Sequence, residues 1–346
     1  MSESDNLLEF AGSYRLVRRI AEGGMANVYE AELLGPEGFA KRVALKVIHP
    51  KYARSSNWLR LFVDEAKLSA NLVHGNIVQI YQLGEVNGQY YIAMEYIQGP
   101  TLRNVIDRHR EIGRPITPAI AAYIASRVCR ALDFAHNFID PDGRRLDIVH
   151  RDVSPGNVMA TWDGHIKLAD FGIAKAATSF DPVAETPMMI GKKHYMSPEQ
   201  ILALNVDGQS DVFSLGVVLF ELLSLEPLFR EDVTELVIDE VTIHPLPSIR
   251  DFVPGIPTAL EHVLSRALAR DPAQRPSAAS MGKTLDRWVE SLPGVATPDR
   301  LQEHLAAIMP GSYQSRSEDR DNTKFSHLGR RLQTPVRTLV WRLLGI

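Results

Sequence analysis

Residues 14–32 mix apolar and polar positions on either side of Ala21-Glu22-Gly23-Gly24-Met25-Ala26 and read as a strand, a turn and a second strand. Val43-Ala44-Leu45-Lys46-Val47-Ile48 is a third strand run. Its alternation puts Ala44, Lys46 and Ile48 on one face and Val43, Leu45 and Val47 on the other. Residues 56–72 then follow a helical repeat, with Ser55 or Ser56 as N-cap. Leu61, Phe62 and Leu68 lie four and three before and three after Glu65, so Glu65 shares the buried face of that helix. Ile77–Ile80 and Tyr90–Tyr96 read as two more strands around Gly84 to Gly88, and Gln98-Gly99-Pro100 is a turn signal. Thr117-Pro118 opens a helix by cap and first-turn proline, with Ile120, Tyr123, Ile124, Val128, Ala131, Leu132 and Ala135 along one side. Asp140-Pro141-Asp142-Gly143 is a turn. The apolar runs Ile148-Val149 and Ile166-Lys167-Leu168-Ala169 read as short strands on either side of a polar loop.

Against that pattern some polar residues stand out. A buried carboxylate without a cation is costly, and Lys46 on its apolar strand is the obvious partner for Glu65. Further along come His150-Arg151-Asp152 with Asn157, then Asp170-Phe171-Gly172. A cation, a carboxylate with an amide, and a second carboxylate can hold a nucleotide's phosphates, chelate its magnesium and orient a hydroxyl nucleophile. Glycines allow backbone N–H groups to approach phosphate oxygens, which makes Ala21, Glu22, Gly23 and Gly24 the candidate phosphate turn. Residues 95–99 read as a hinge between two lobes. Backbone groups of Glu95 and Ile97 then face the adenine edge, and Val28, Ala44 and Met159 enclose the ring. ATP and Mg2+ are the expected ligands.

Composition narrows the class. The 346 residues are 45% hydrophobic and 23% charged, as in a folded globular protein, and the net charge of −4 argues against a general nucleic-acid binder. The only cysteine, Cys129, excludes an intramolecular disulfide and a cysteine-based metal site. Residues 1 to 9 carry Glu3, Asp5 and Glu9 with no basic residue, unlike a signal peptide, and no apolar run is long enough to span a bilayer. A soluble, cytoplasmic protein is expected.

In Val43-Ala44-Leu45-Lys46, Glu65, His150-Arg151-Asp152 with Asn157, Asp170-Phe171-Gly172, Ser197-Pro198-Glu199, Asp211 and Arg275 the chain resembles the eukaryotic-type protein kinase family, in its bacterial serine/threonine branch. The resemblance covers roughly residues 14 to 290. It implies an α+β, bilobal fold: an N-lobe over 14–95 with a small antiparallel sheet and one helix, a hinge over 95–99, and a mainly helical C-lobe over 100–290. Residues 1–13 precede this domain and 291–346 follow it. The resemblance further implies that Asp152 accepts or orients the proton of a substrate hydroxyl, that Asn157 and Asp170 bind magnesium, and that Lys46 is held by Glu65. It implies a buried Glu199–Arg275 bridge, and Asp211 bonded to the backbone of the catalytic loop. Partners are then protein serine and threonine hydroxyls, with self-association for phosphorylation of the chain's own loop. Arg151 would receive a phosphate there, with Thr186 ahead of Thr178 and Ser179 as the site.

The chain departs from the family at three places. Ala21 and Ala26 stand where glycines are usual, which points to weaker nucleotide binding. Ser154 stands where a lysine is usual, and Lys192 stands where a threonine is usual. Two readings follow: Lys192 supplies the missing charge from the opposite side, or it is a solvated basic residue and the enzyme is slow. The alternative to an active kinase is accordingly a pseudokinase, a nucleotide-binding scaffold.

In the tail, Pro298 to Ile308 reads as a short helix ending near Pro310-Gly311, and 312–324 as a polar linker. Leu332, Val336, Leu339, Val340 and Leu343 then recur at helical spacing among Arg330, Arg331, Arg337 and Arg342. Such a basic amphipathic helix suits a membrane surface, a partner, or the chain's own lower lobe.

Overall fold

The computed structural model describes residues 13–171, 194–229, 239–293 and 297–314. Strands β1 (Tyr14–Glu22), β2 (Ala26–Leu34), β3 (Ala40–Ile48), β4 (Ile80–Val86) and β5 (Gln89–Glu95) form an antiparallel sheet in the order β1-β2-β3-β5-β4. The alternation of β3 decides what each side of the sheet carries. Val43, Leu45 and Val47 pack with Tyr14, Leu16 and Tyr91, whereas Ile48 packs with Ala26, Phe62 and Ile92. Phe62 and Ala66 come from helix α1 (Ser56–Ala70), which, with Tyr52 and Ala53 of the helical turn before it, closes the second side of the sheet. Lys46 projects from the central strand, with Val28 and Ile92 opposite it in register.

The sheet differs from the sequence reading in detail. Strand β4 begins at Ile80, and Ile77 makes only an isolated bridge to Leu168. Gly84 lies inside β4 rather than in the connection. The Tyr91 ring lies over it, and a Cβ there would come within 2.3 Å of that ring. Asn87 and Gly88, at φ 49° and 77°, make the two-residue turn. Ser55 holds the cap position of α1 without a side-chain capping bond.

The C-terminal lobe is built from α2 (Leu102–Ile112), α3 (Pro118–His136), α4 (Gly208–Ser224), α5 (Thr258–Ala267), α6 (Ala278–Glu290) and α7 (Pro298–Ile308), with a β6 (Val158–Ala160)–β7 (Ile166–Leu168) ribbon. Thr117 caps α3 by accepting from the Ile120 N–H, as the Thr-Pro signal predicts. Ile148 and Val149 form no ladder; Ile148 N–H instead reaches the Ala135 carbonyl at 3.2 Å. Helix α4 is buried on all sides from Ser210 to Leu223, the mark of a helix inside a core. Leu301, Leu305 and Ile308 of α7 join that core, and residues 310–314 make a further helical stretch where a linker is expected. No helix among the described residues is long and apolar enough to cross a membrane. The basic run from Arg330 to Arg342 lies outside the described residues.

Beneath the ribbon a single helical turn, Pro198–Ile201, is held by an ion pair. Both nitrogens of the Arg275 fork reach the Glu199 carboxylate, at 2.7 and 2.9 Å, with the side chains 0% and 5% exposed. Ser210 also donates to Glu199, and Arg275 spends further N–H groups on the carbonyls of Gln209, Ala269 and Arg270. Burial alone would raise the Glu199 carboxyl; Arg275 and Ser210 outweigh burial and hold it below the usual range. A depressed folded-state value means that this stabilisation is present above the unfolded carboxyl's pKa and is lost as pH falls through the folded one. Arg275→Ala is expected to cost about 3–5 kcal/mol in urea denaturation near neutral pH, and the deficit is expected to shrink on acidification as Glu199 protonates.

Candidate active site

Three elements converge on one ammonium. Lys46 Nζ lies 2.9 Å from Glu65 Oε1 on α1 and 2.9 Å from Asp170 Oδ1 at the end of β7. Burial alone would push the lysine down; the Asp170 and Glu65 carboxylates reverse this and hold it well above its ordinary value. Burial raises the Glu65 carboxyl, Lys46 offsets only part of that, and the Asp170 and Asp152 charges add to the rise. The phenyl ring of Phe171 is buried behind Asp170, tilted on His150 with ring centres 4.6 Å apart.

Asp152 is placed by its neighbours. Asn157 Nδ2 donates to the Asp152 carbonyl at 2.8 Å and to its carboxylate at 3.0 Å. His150 is fully buried, and burial lowers its pKa. The neutral ring has one donor and one acceptor: Nε2 donates to the Ala169 carbonyl at 3.0 Å, and Nδ1 accepts the Asp152 N–H at 3.2 Å. One imidazole therefore joins the loop carrying Asp152 to the segment carrying Asp170. Asn157 commits its amide nitrogen to Asp152, which leaves the amide oxygen, with the Asp170 carboxylate, as hard donors of the kind magnesium takes.

Asp211 anchors the same loop from below. Its two oxygens accept the His150 and Arg151 N–H groups, both at 2.8 Å, and His136 Nε2 meets Oδ2 at 2.8 Å. Arg151 and Asp170 sit at positive φ, 64° and 57°, a conformation that side chains rarely adopt and that such anchoring maintains. Gln200 in the Pro198–Ile201 turn donates to the Arg151 carbonyl at 3.0 Å.

The remaining candidates are placed as follows. Gly23 N–H closes on the Ala26 carbonyl at 3.0 Å, and a Cβ on Gly23 would meet that oxygen at 2.9 Å. Glu22 and Gly24 are exposed beside it. Ala21 and Ala26 have no positive φ, so their methyls add no backbone strain, and the Ala26 methyl packs with Ile48 and Phe62. Val28 and Ala44 stand on β2 and β3 of the N-terminal sheet and Met159 on β6 of the C-terminal lobe. Glu95 ends β5 and its N–H is committed to the Gln79 carbonyl, at 2.8 Å, so only its carbonyl can face an adenine edge; Ile97 follows in the hinge. Lys192, Gly172, Thr178, Ser179 and Thr186 lie outside the described residues. Ser154 is 6% exposed.

Several structural contributors carry no motif. His136 is the last residue of an amphipathic helix, and nothing in its spacing points to Asp211. Glu95 also bonds Lys167 across the hinge at 2.9 Å. Glu221, buried in α4, accepts from Arg103 at 2.8 Å, Arg110 at 2.9 Å and the Tyr195 hydroxyl at 2.5 Å. That cluster joins α2 and α4 to the segment before Ser197.

A five-stranded sheet with a long helix, set on a helical lobe, with a lysine, two aspartates and an asparagine between them, defines a protein of the bilobal kinase type. The model of the protein kinase domain matches residues 14–285, and the chain belongs to the protein kinase family. It is 38% identical over 289 residues to the tyrosine-protein kinase MasK of Myxococcus xanthus, covering 82% of this chain and 44% of MasK. It is 36% identical over 266 residues to the serine/threonine-protein kinase PrkC of Bacillus subtilis, covering 77% of this chain and 38% of PrkC. The chain thus spans less than half the length of these relatives. The crystal structure of the Mycobacterium tuberculosis PknI kinase domain superposes with a TM-score of 0.59 at 29% identity, covering 81% of this chain and 97% of that one.

Because Asp211 takes three hydrogen bonds, Asp211→Ala is expected to lower stability by about 3 kcal/mol or more. It is also expected to speed amide exchange at His150 and Arg151 in particular. Asp211→Asn, which keeps one acceptor oxygen, is expected to lie between this variant and the wild type.

Proposed function

We propose that this chain transfers the γ-phosphate of ATP to serine or threonine hydroxyls of proteins, among them its own activation segment. The observation that carries the reading is the shared Lys46 ammonium, within 2.9 Å of both Glu65 and Asp170, with Asp152 held by Asn157. Lys46, fixed by Glu65, is the group to bind nucleotide phosphates. Asn157 and Asp170 would hold magnesium, which when bound supplies charge neutralisation at the phosphates. Asp152 orients the acceptor hydroxyl and takes its proton, the carboxylate being unable to donate in its ionised form. Gly24 brings its backbone N–H group to the phosphates, the Gly23 N–H being held by the Ala26 carbonyl, and the Glu95 carbonyl with the Ile97 backbone serves the adenine edge. Arg151 would receive a phosphate on Thr186, Thr178 or Ser179.

Serine and threonine are favoured as acceptors by the printed names of PrkC and most other relatives; MasK carries a tyrosine kinase name. Asp152→Asn is expected to reduce transfer about 10²–10⁴-fold while nucleotide binding persists. Phosphoamino acid analysis of the wild-type product is expected to return phosphoserine and phosphothreonine; phosphotyrosine alone would refute the acceptor assignment.

Ser154 favours a second reading, a scaffold that binds nucleotide and transfers slowly, since a hydroxyl brings no charge to the γ-phosphate. The charge exchange between positions 154 and 192 separates the two. With the exchange, Lys192→Ala loses transfer, and Ser154→Lys combined with Lys192→Thr recovers it in a kinetic double-mutant cycle. Transfer unaffected by Lys192→Ala would rule the exchange out.

A further inference from the structure

His49, a residue with none of the roles assigned so far, ties the glycine turn to the sheet. It follows the last residue of β3, three positions beyond Lys46, and precedes Pro50. A residue before proline is pushed out of the helical region, and His49 is extended, at φ −65° and ψ 140°. In that conformation three of its polar groups each meet a different part of the lobe. Its N–H donates to the Met25 carbonyl at 2.9 Å. Its carbonyl accepts from the Tyr52 and Ala53 N–H groups, at 2.9 and 3.1 Å, and so opens the helical turn Pro50–Ala53. Its ring nitrogen Nε2 lies 2.8 Å from the Gly23 carbonyl. A carbonyl oxygen only accepts, so Nε2 carries a proton and donates it.

The peptide plane turns this bond into a direction. The peptide between Gly23 and Gly24 is trans, so the Gly23 C=O and the Gly24 N–H point to opposite sides of it. A carbonyl held on the His49 ring therefore aims the Gly24 N–H away from that ring. The Met25 carbonyl, held by the His49 N–H, sets the Ala26 N–H in the same way. The Gly23 N–H closes the turn on the Ala26 carbonyl at 3.0 Å. The directions of these N–H groups are thus fixed before any ligand arrives. A turn whose peptides rotate freely loses conformational entropy when it binds phosphate; a braced turn has already lost it. The brace acts on the turn in which Ala21 and Ala26 replace the family's usual glycines.

We propose that His49 is a positioning residue for the nucleotide: its imidazole N–H, through the Gly23 carbonyl, aims the Gly24 N–H at the phosphates and holds the turn in register with Lys46 on the same strand. The proposal deepens the kinase reading and rests on it. Because His49 acts through Gly23, its effect falls on nucleotide affinity rather than on Asp152 and the transferring group.

Equilibrium binding of Mg-ATP to the full chain, beside steady-state kinetics, tests it. His49→Phe keeps a ring and removes the donor. It is expected to weaken Mg-ATP binding about three- to tenfold, the range for loss of one hydrogen bond, and to raise KM for ATP by a similar factor with kcat within about twofold. His49→Gln sets an amide N–H at about the reach of Nε2 and is expected to bind within about twofold of the wild type. In the wild type, nitrogen NMR of the labelled imidazole is expected to show Nε2 protonated. Unchanged affinity in His49→Phe, or an equal loss in His49→Phe and His49→Gln, would overturn the proposal. So would a ring protonated at Nδ1 alone, a result that needs no variant to fold. A wild type that binds Mg-ATP but transfers no phosphate would refute the transfer reading, and the binding comparison would still decide the role of His49. A wild type that binds no nucleotide would overturn both.

Discussion

One ammonium answers to two carboxylates that lie far apart in the chain, and the two lobes meet through it. Lys46 comes from the middle of the sheet, Glu65 from the long helix packed on that sheet, and Asp170 from the edge of the C-terminal ribbon. Taking charged groups out of water costs several kcal/mol each unless their partners are placed well. The arrangement therefore persists only while α1, β3 and β7 keep their relative positions. Phe62 and Ala66 hold α1 to the sheet, and His150 and Phe171 hold the Asp170 segment to the catalytic loop.

Below that contact the design is backbone-centred. Asp211 serves two amide N–H groups and an imidazole, and His150 passes the restraint on to Asp152 and Ala169. Arg275 likewise distributes its donors between Glu199 and three carbonyls. In each case a buried charge is balanced by dipoles of loops that would otherwise be free to move. Rigid loops at the mouth of a cleft suit a reaction whose barrier is lowered by position and charge rather than by a protein nucleophile. The departures sit at the edge of this frame. Ala26 uses its methyl in the core beneath the turn, and the buried Ser154 stands where the family usually has a lysine.

What the amino-acid sequence determined is local or periodic. The two faces of β3, the buried side of α1 with Glu65 on it, the Thr117 cap, and the order of Lys46, Asp152, Asn157 and Asp170 were all legible, because side-chain period and turn chemistry act over a few residues. The pairings of Glu199 with Arg275 and of Asp211 with the catalytic loop came by family resemblance, since no periodicity links residues so distant in sequence. Tertiary structure alone decided the rest. Gly84 reads as a turn until the Tyr91 ring is seen lying over it, and His136 reads as a helix end until Asp211 is brought beneath it. Glu221 reads as one polar residue in an apolar helix until Arg103, Arg110 and Tyr195 close around it. Helix α7 reads as a tail until its leucines enter the core. Each of these depends on which surfaces meet when the lobes pack, and burial, unlike periodicity, is a property of the whole chain.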